Sequence, residues 1–415
     1  MRELIRQYCK GDRYMWGFIV FLFIVSLLSV YSASTVYAYQ WHDGDIAGTI
    51  MRHVICMLMG FGAIVVCSNI RPKFFYYFSD IGVVIGCIAV ILVLFIGYSV
   101  NGSARWFKVG GFTIQPSEFA KITLIIYAAK QLASNFDNPD HGAKKILCAT
   151  GLIVAFVAIE NLSTAILISF TILIVLFIGR TSMKLLGGVG LMAVVAMVMI
   201  LIFAPILRNT PLSRASTWTA RIERFMSDSD ENNDKNSQAV QSLTAVATGG
   251  LMGVGAGNSK MKNFLPMAFS DFIFAIILEE YGLWGGILVV IAYAGLLLRA
   301  IVISKSCMKV FHIYALLGLS IMITLQAIIN MSVAVGLLPV TGQTLPLVSM
   351  GGSSAVFIGS ALGIMLSITT EAQKNSAEQA VVQSAVKNIE STDDEEEEEE
   401  YDDDTADFDS DEVKK

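Results

Sequence analysis

Again and again along this chain, about 20 consecutive residues pass with few or no charges, the length an α-helix needs to cross a bilayer core of about 30 Å. No other feature narrows the fold so far. Backbone N–H and C=O groups find no partner in hydrocarbon, and runs of this length close those hydrogen bonds internally as helices. Composition agrees: 54% of the 415 residues are hydrophobic and 15% are charged. The chain therefore reads as an all-α polytopic membrane protein. Ten transmembrane helices are expected, near 14–34, 50–69, 79–99, 116–133, 146–160, 162–179, 186–207, 271–298, 311–337 and 352–370. The fourth carries Glu118, Lys121 and Lys130, and the fifth and sixth almost touch.

Lysine and arginine placement orients the spans. Arg2, Arg6, Lys10 and Arg13 precede the first. Arg71 and Lys73, Lys144 and Lys145, Arg180 and Lys184, and Arg299, Lys305 and Lys309 mark alternate loops. With ten spans all of these share one side, so both termini are expected in the cytoplasm. The first run is too long for the apolar core of a cleavable signal. The outer side then carries loops 35–49, 100–115, 208–270 and 338–351, with the large one between helices 7 and 8.

Three regions follow: a cytoplasmic N-terminus (1–13), a membrane domain (14–370) and an acidic cytoplasmic tail (371–415). The tail contains DDEEEEEEYDDD and is expected to be disordered, either simply solvated or a docking site for a basic partner. It accounts for the net charge of −6, without which the membrane part is basic. Cys9, Cys56, Cys67, Cys87, Cys148 and Cys307 fall in spans or on the cytoplasmic side, so no disulfide framework is expected. No CxxC or His/Cys cluster suggests a structural metal.

Four polar clusters break the apolar pattern. The first is NGSARWFKVGGFTIQPSEFAK (Asn101 to Lys121), with Gly102, Gly110 and Gly111 for tight turns and Trp106 and Phe107 for the interface. Pro116 suits a first helical residue. Glu118 and Lys121 share a helix face and can pair, either as a functional intramembrane pair or as a self-neutralising one beside an interfacial hairpin. The second brings Arg214, Arg221 and Arg224, then Gln238, Gln241 and Ser242, then TGGLMGVGAGNSK with Gly249, Gly250, Gly253, Gly255 and Gly257. Glycine amides and bidentate arginines suit phosphate. Such loops are also common without a ligand, and the absence of a Walker lysine and of a preceding strand excludes a nucleotide P-loop.

The third cluster, SDFIFAIILEEYG, puts Asp271 at the outer mouth of the eighth span, as helix cap, as catalyst, or as both. Glu279 falls roughly 12 Å deeper at about 1.5 Å per residue, and Glu280 faces another way. Either of these two is placed to meet a cation such as Lys121 while the other reaches an aqueous cleft. The fourth, LPVTGQTLPLVSMGGSS (Leu338 to Ser354), contains Pro339, Pro346, Gly351 and Gly352, which prevent a simple helix. Irregular backbone at that depth must lie against protein or water. Ser349, Ser353 and Ser354 offer hydroxyls and helix-start amides to a phosphate or sugar, or else the segment is a structural re-entrant loop.

In this order, NGSARWFKVGGFTIQPSEFAK, GVGAGNSKMKNFLPMAFSDFIFAIILEEYG and GLLPVTGQTLPLVSMGGSS resemble the SEDS family (shape, elongation, division and sporulation), over residues from about 14 to 370. The resemblance implies ten membrane helices and a glycosyltransferase that polymerises lipid II into peptidoglycan strands. It also implies a class B penicillin-binding protein as the crosslinking partner. The family's essential outer aspartate maps to Asp271. Its tryptophan-flanking arginine, its QPSE glutamate and the following lysine map to Arg105, Glu118 and Lys121. Its glutamate pair maps to Glu279 and Glu280, and its GGSS loop to Gly351, Gly352, Ser353 and Ser354.

This chain departs from the family in places. Many members carry Glu, His and Thr ahead of the aspartate, where this chain has Met267, Phe269 and Ser270, so Asp271 has no neighbouring histidine to rely on. Where relatives read PDLGT, it has Glu160, Asn161, Leu162, Ser163 and Thr164, and that turn is assigned no catalytic role. Met350 stands where tyrosine is commoner. The last motif is more like the division member, FtsW, than the elongation member, RodA. That implies a place at the septum of a bacterial inner membrane, among other divisome proteins.

An α-linked diphosphate donor and a β-1,4 product imply one inverting displacement with a single base. Asp271 is expected to take the proton from the acceptor's 4-hydroxyl. Arg105, Lys121, Arg221 and Arg224 would steady the diphosphate, with a divalent cation (Mg2+ or Mn2+) carried by the substrate and no built-in cofactor. Glu118 would position Lys121. Ser349 and the GGSS loop would bind substrate, while Glu279 and Glu280 would be supporting or structural. The main rival is a lipid II flippase, which needs a polar path reaching the cytoplasmic face. The elongation-type polymerase and a non-catalytic scaffold are the others, and nucleic acid is not an expected partner.

Overall fold

The computed structural model describes residues 10–41, 46–100, 103–109, 112–203, 238–265 and 268–379. Gly102, Gly110, Gly111, Arg214, Arg221, Arg224, Met267 and residues 380–415 of the acidic tail lie outside these residues, whereas the first part of the expected tail, 371–379, continues the last helix. The helices are α1 (Arg13–Trp41), α2 (Ile46–Asn69), α3 (Pro72–Ile96), α4 (Pro116–Ser134), α5 (Pro139–Glu160), α6 (Leu162–Ile178) and α7 (Met183–Phe203). After them come α8 (Gln238–Gly249), α9 (Ile273–Ser304), α10 (Val310–Ala334) and α11 (Gly352–Gln379). Seven, namely α1, α2, α3, α5, α9, α10 and α11, are long and apolar enough to cross a membrane. The other three expected spans coincide with α4, with its buried charges, with the 17-residue α6, and with α7.

Two helices start well before the expected boundaries. α3 begins at Pro72 rather than 79, and α5 at Pro139 rather than 146. In both, a proline at the first helical position is preorganised for the turn, and polar residues that lower the local hydropathy are still helical. Asn138 caps α5 by accepting from the His141 amide.

The all-α expectation needs one correction. The loop after α3 folds into a three-stranded antiparallel sheet, β1 (Tyr98–Val100), β2 (Ser103–Val109) and β3 (Phe112–Ile114). Phe107 pairs with Ile114 and Lys108 with Thr113. Beta-branched and aromatic residues suit such a half-buried ribbon. The sheet leads straight into Pro116 and holds Arg105 at the end of α4.

The second correction concerns the glycine-rich stretch. α9 is broken at Gly282, whose φ is 68°. The break frees the carbonyls of Glu279 and Glu280, which accept instead from the amides of Val254 (2.9 Å) and Gly255 (3.0 Å). In return the Leu283 amide donates to the Gly250 carbonyl at 3.0 Å. A helix interrupted at this depth needs such substitutes, because bare backbone is not tolerated in hydrocarbon. The buried Glu279 carboxylate completes the dock: it accepts from the Ser259 hydroxyl and from the amides of Lys260 (2.9 Å) and Met261 (3.3 Å). So the anion held by this loop is the chain's own Glu279. Glu280 accepts from the Ser32 hydroxyl on α1 and, at 3.4 Å, from the Ser259 amide. The expectation that one of the two glutamates meets Lys121 is wrong, because the loop folds back and reaches them first.

At the other end of the bundle, Asp12 caps α1 through the amides of Tyr14 (3.1 Å) and Met15 (3.0 Å). Its carboxylate also takes a bidentate contact from Arg299 on α9 (3.0 and 2.7 Å), and its amide donates to Thr369 on α11. Burial raises the Asp12 pKa, but the Arg299 hydrogen bond and the two amides outweigh it and hold the carboxyl below its ordinary value. On the facing surfaces of α2 and α11, a Cβ at Gly359 would lie 2.4 Å from the Gly60 carbonyl and one at Gly363 would lie 2.6 Å from the Ile64 carbonyl. Small residues four apart let these helices touch backbone to backbone.

Two outcomes follow. Gly253 has φ of +81°, and a Cβ there would lie 2.2 Å from the Glu280 carbonyl oxygen. Gly253→Ala should cost at least about 1–2 kcal/mol, read as a lower thermal midpoint in detergent. For Asp12, a depressed folded pKa stabilises above the unfolded value and the benefit fades as pH falls through it. The stability gap between wild type and Asp12→Asn should therefore shrink as pH is lowered below about 4, in thermal unfolding followed across that range.

Candidate active site

Four helices, α4, α6, α9 and α11, begin at one end of the bundle, and α5 and α10 finish there. Asp271 lies here, in the turn over residues 268–272. α9 starts two residues later, at Ile273, with Phe272 as its N-cap and no side-chain cap. Asp271 is therefore not the cap. Its Oδ1 accepts from the Ser270 hydroxyl at 2.9 Å, and its carbonyl accepts from Asn330 Nδ2 at 2.8 Å. Gly342, with φ of +69°, faces it: a Cβ there would stand 3.5 Å from Asp271 Oδ2.

From Asp271 a polar chain runs across the end of the bundle. Asn330 on α10 also donates to the Gln343 carbonyl at 2.6 Å. Gln343 Nε2 donates to the Thr164 hydroxyl at 2.8 Å. The Thr164 amide donates to Asn161 Oδ1 at 3.2 Å, capping α6. Asn161 in turn lines a cleft of about 290 Å³, partly open, with Arg105, Gln115, Ser117 and Glu160 around its polar side and Val90, Val93, Leu94 and Phe156 around its apolar side. Arg105 thus reaches the same polar belt as Asp271. Sequence reasoning gave the turn of Glu160, Asn161 and Thr164 no catalytic role and did not single out Asn330 or Gln343. The signal available was an amide or hydroxyl at the start or end of an apolar run, too common to single out.

The Glu118–Lys121 pair forms as expected, at 2.9 Å. Both residues are buried, and Lys121 Nζ also donates to Gln326 Oε1 on α10 at 2.8 Å. Gln326 Nε2 passes the link to the Thr344 carbonyl at 3.1 Å. Lys121 is thereby a brace between α4, α10 and the 338–351 loop, not an open cation at the mouth. In an apolar interior a lone ammonium or carboxylate would be costly, and the pair plus an amide removes that cost.

The loop residues expected to bind substrate are drawn together differently. The Ser349 hydroxyl receives the Leu345 amide at 2.7 Å and donates to the Ser270 carbonyl, so it ties the loop to the Asp271 turn. The Met350 amide donates to the Phe269 carbonyl at 2.9 Å. Gly351 precedes α11, which Gly352, Ser353 and Ser354 open. Ser353 Oγ accepts from the Gln115 amide at 3.1 Å, joining this helix start to the entry of α4. Arg221 and Arg224 lie outside the described residues. Among the described residues no three His, Cys, Asp or Glu side chains cluster.

The profile of the FtsW/RodA/SpoVE family, described as cell cycle proteins, matches residues 12–374. Stage V sporulation protein E of Bacillus subtilis is 32% identical over 356 residues, covering 84% of this chain and 94% of the relative. A probable peptidoglycan glycosyltransferase FtsW of Hahella chejuensis is 33% identical, covering 91% and 94%, and its namesake from Geobacter sulfurreducens is 30% identical, covering 83% and 91%. Among solved structures, a chain from a peptidoglycan synthase complex that coordinates polymerization and crosslinking superimposes with a TM-score of 0.66 at 23% identity, covering 87% of this chain and 98% of that one. Rod shape determining protein RodA of Thermus thermophilus gives 0.61 at 22% identity, covering 86% and 96%. These likenesses carry the fold.

Removing one partner of the buried pair should be worse than removing both. Lys121→Met alone leaves Glu118 uncompensated and should cost about 3–5 kcal/mol. Adding Glu118→Gln should recover much of the loss in detergent melting curves. Equal stability of the single and double variants would rule out the bracing role.

Proposed function

The chain belongs to the FtsW/RodA/SpoVE family of cell cycle proteins, and from that premise we propose that it is a peptidoglycan glycosyltransferase that polymerises lipid II into β-1,4 glycan strands. Its multiple apolar helices make it a multi-pass membrane protein. Both termini face the cytoplasm when the expected ten spans are crossed, which puts Asp271 on the outer side, where lipid-linked disaccharides are joined.

In the proposed reaction, Asp271 accepts the proton of the acceptor's 4-hydroxyl as that oxygen attacks the donor's anomeric carbon. The new C–O bond forms as the bond to the diphosphate breaks, with inversion. A positioned general base is typically worth about 10²–10⁴ in rate. The single observation that carries this role is the placement of the Asp271 carboxylate. It is not used to cap α9, one oxygen accepts from Ser270, and the other lies beside Gly342.

The departing diphosphate needs counter-charge. Arg105 supplies it from β2, with the helix starts around it and with Arg221 and Arg224 of the outer loop. A divalent cation riding on the diphosphate adds to this. Lys121 contributes at a distance, by holding α4, α10 and the loop in register. The apolar side of the Arg105 cleft (Val90, Val93, Leu94, Phe156) suits the first part of a lipid chain.

The division branch is favoured by the GLLPVTGQTLPLVSMGGSS motif and by the acidic tail. The expected setting is the septal inner membrane, with an FtsI-like class B penicillin-binding protein and other divisome proteins as partners.

Purified protein with its transpeptidase partner and lipid II tests this. Wild type should build glycan, and Asp271→Asn should lose at least about 10²-fold in rate while keeping its thermal midpoint. Wild-type speed in Asp271→Asn would remove the base assignment. Movement of lipid II across liposomes without glycan would instead favour a flippase.

A further inference from the structure

The segment carrying Ser349 is strained. Leu347 has φ of +64°, a left-handed conformation that costs a branched side chain roughly 1–2 kcal/mol. Such a residue persists only where its surroundings over-determine it. The carbonyls on either side of Leu347 are both held. Tyr293 on α9 donates its hydroxyl to the Pro346 carbonyl, and Ser26 on α1 donates its hydroxyl to the Val348 carbonyl at 2.9 Å. Ser26 is fully buried, and its oxygen lies 3.1 Å from Nε2 of His53 on α2.

A serine hydroxyl has one hydrogen. Ser26 directs it to Val348, so it accepts from His53, and His53 must carry its hydrogen on Nε2. The opposite nitrogen, Nδ1, is buried without a partner among the described residues, which suits a bare nitrogen on a neutral ring. The arrangement departs from the habit of helical hydroxyls, which commonly donate to the carbonyl four residues back, as Thr150, Thr171 and Thr248 do here. A donor at His53 occupies the serine oxygen and keeps its hydrogen turned to the loop.

We propose that Ser26 and His53 are positioning residues: together with Tyr293 they clamp the strained turn at Leu347, and through Ser349 the clamp fixes the turn that carries Asp271. The connection is direct. Val348 precedes Ser349, whose hydroxyl donates to the Ser270 carbonyl, and Ser270 holds Asp271 Oδ1. This role rests on Asp271 being the base proposed above, but the clamp itself has a readout that needs no activity.

Hydrogen exchange of the full-length protein in detergent supplies that readout. In Ser26→Ala the amides of residues 345–350 should exchange about tenfold faster, and His53→Ala should move the same way. His53→Gln, which offers an amide donor, should return exchange to the wild-type rate. Ser29→Ala is the control, because Ser29 is equally buried one turn along α1 and its hydroxyl has no partner; it should change nothing. In lipid II polymerisation, Ser26→Ala should lower kcat about tenfold with KM little changed, and His53→Gln should again restore it. Unchanged exchange in Ser26→Ala, or the same effect from Ser29→Ala, overturns the clamp. Faster exchange with wild-type kcat keeps the clamp and refutes its link to the base. If wild type itself makes no glycan, the glycosyltransferase assignment fails and exchange still decides the clamp.

Discussion

Every polar backbone group that this chain carries into the apolar layer has to find its partner inside the protein, and the break in α9 shows how far that demand reaches. Opening the helix at Gly282 releases the carbonyls of Glu279 and Glu280 and the amide of Leu283. All three are taken up by the loop that follows α8. The loop in turn needs positive φ at Gly253 and Gly255 to bring its amides close enough. Glu279 then secures the loop from the helix side. One interruption thus dictates a glycine-rich sequence, a buried carboxylate and a short helix packed along α9 and α10. The same loop leads through Ser259 to Leu265 toward the Asp271 turn, so the break shapes the route by which the proposed base arrives.

The electrostatics of the two ends follow from how each charge is held. At the end of the bundle where α4, α6, α9 and α11 start, Glu118 and Lys121 are paired in a buried setting, whereas Asp271 and Arg105 are only partly buried. A base must stay ionised and within reach of a hydroxyl, and burying it would raise its pKa and silence it. A brace has the opposite need, and Lys121 satisfies it with Glu118 and Gln326 in a dry setting. Lys121 was expected to steady a diphosphate; buried beside Glu118 and Gln326, it instead braces α4, α10 and the 338–351 loop.

Much of this was legible in the sequence because hydrophobic length and rare polar residues are strong signals in a membrane chain. All ten expected spans coincide with helices, and Glu118–Lys121 pair at the spacing that predicted it. Boundaries erred where polar first turns of α3 and α5 hid behind low hydropathy. The loop before α4 was read as tight turns or an interfacial hairpin, and its third strand went unread because strands of three to seven residues are too short to stand out. The glycine-rich run was read either as a phosphate-binding loop or as a loop without a ligand, because glycine spacing alone does not say where the amides point. Only the fold says that they face Glu279 and the broken helix. That Asn330, Gln343, Thr164 and Asn161 join into one belt was missed for a different reason. Single amides and hydroxyls are frequent in such spans, and these four join residues up to 179 positions apart in sequence.

What unites these features is that the site has little regular secondary structure of its own. Asp271 sits in a turn, Ser349 in a loop and Arg105 on a short strand. A carboxylate on such backbone would wander unless side chains from rigid elements held it, and a misplacement of about 1 Å in a reacting group can cost on the order of 10²-fold in rate. Here α10 holds it through Asn330, α9 through Tyr293, α1 through Ser26, and α6 through Thr164. Interhelical hydrogen bonds of this kind contribute only about 0.6–2 kcal/mol each in a membrane. Their value lies in number and direction: four helices restrain separate points of the Asp271 turn and the 338–351 loop. Regular helices give the stability, and the polar residues lodged among them give the position.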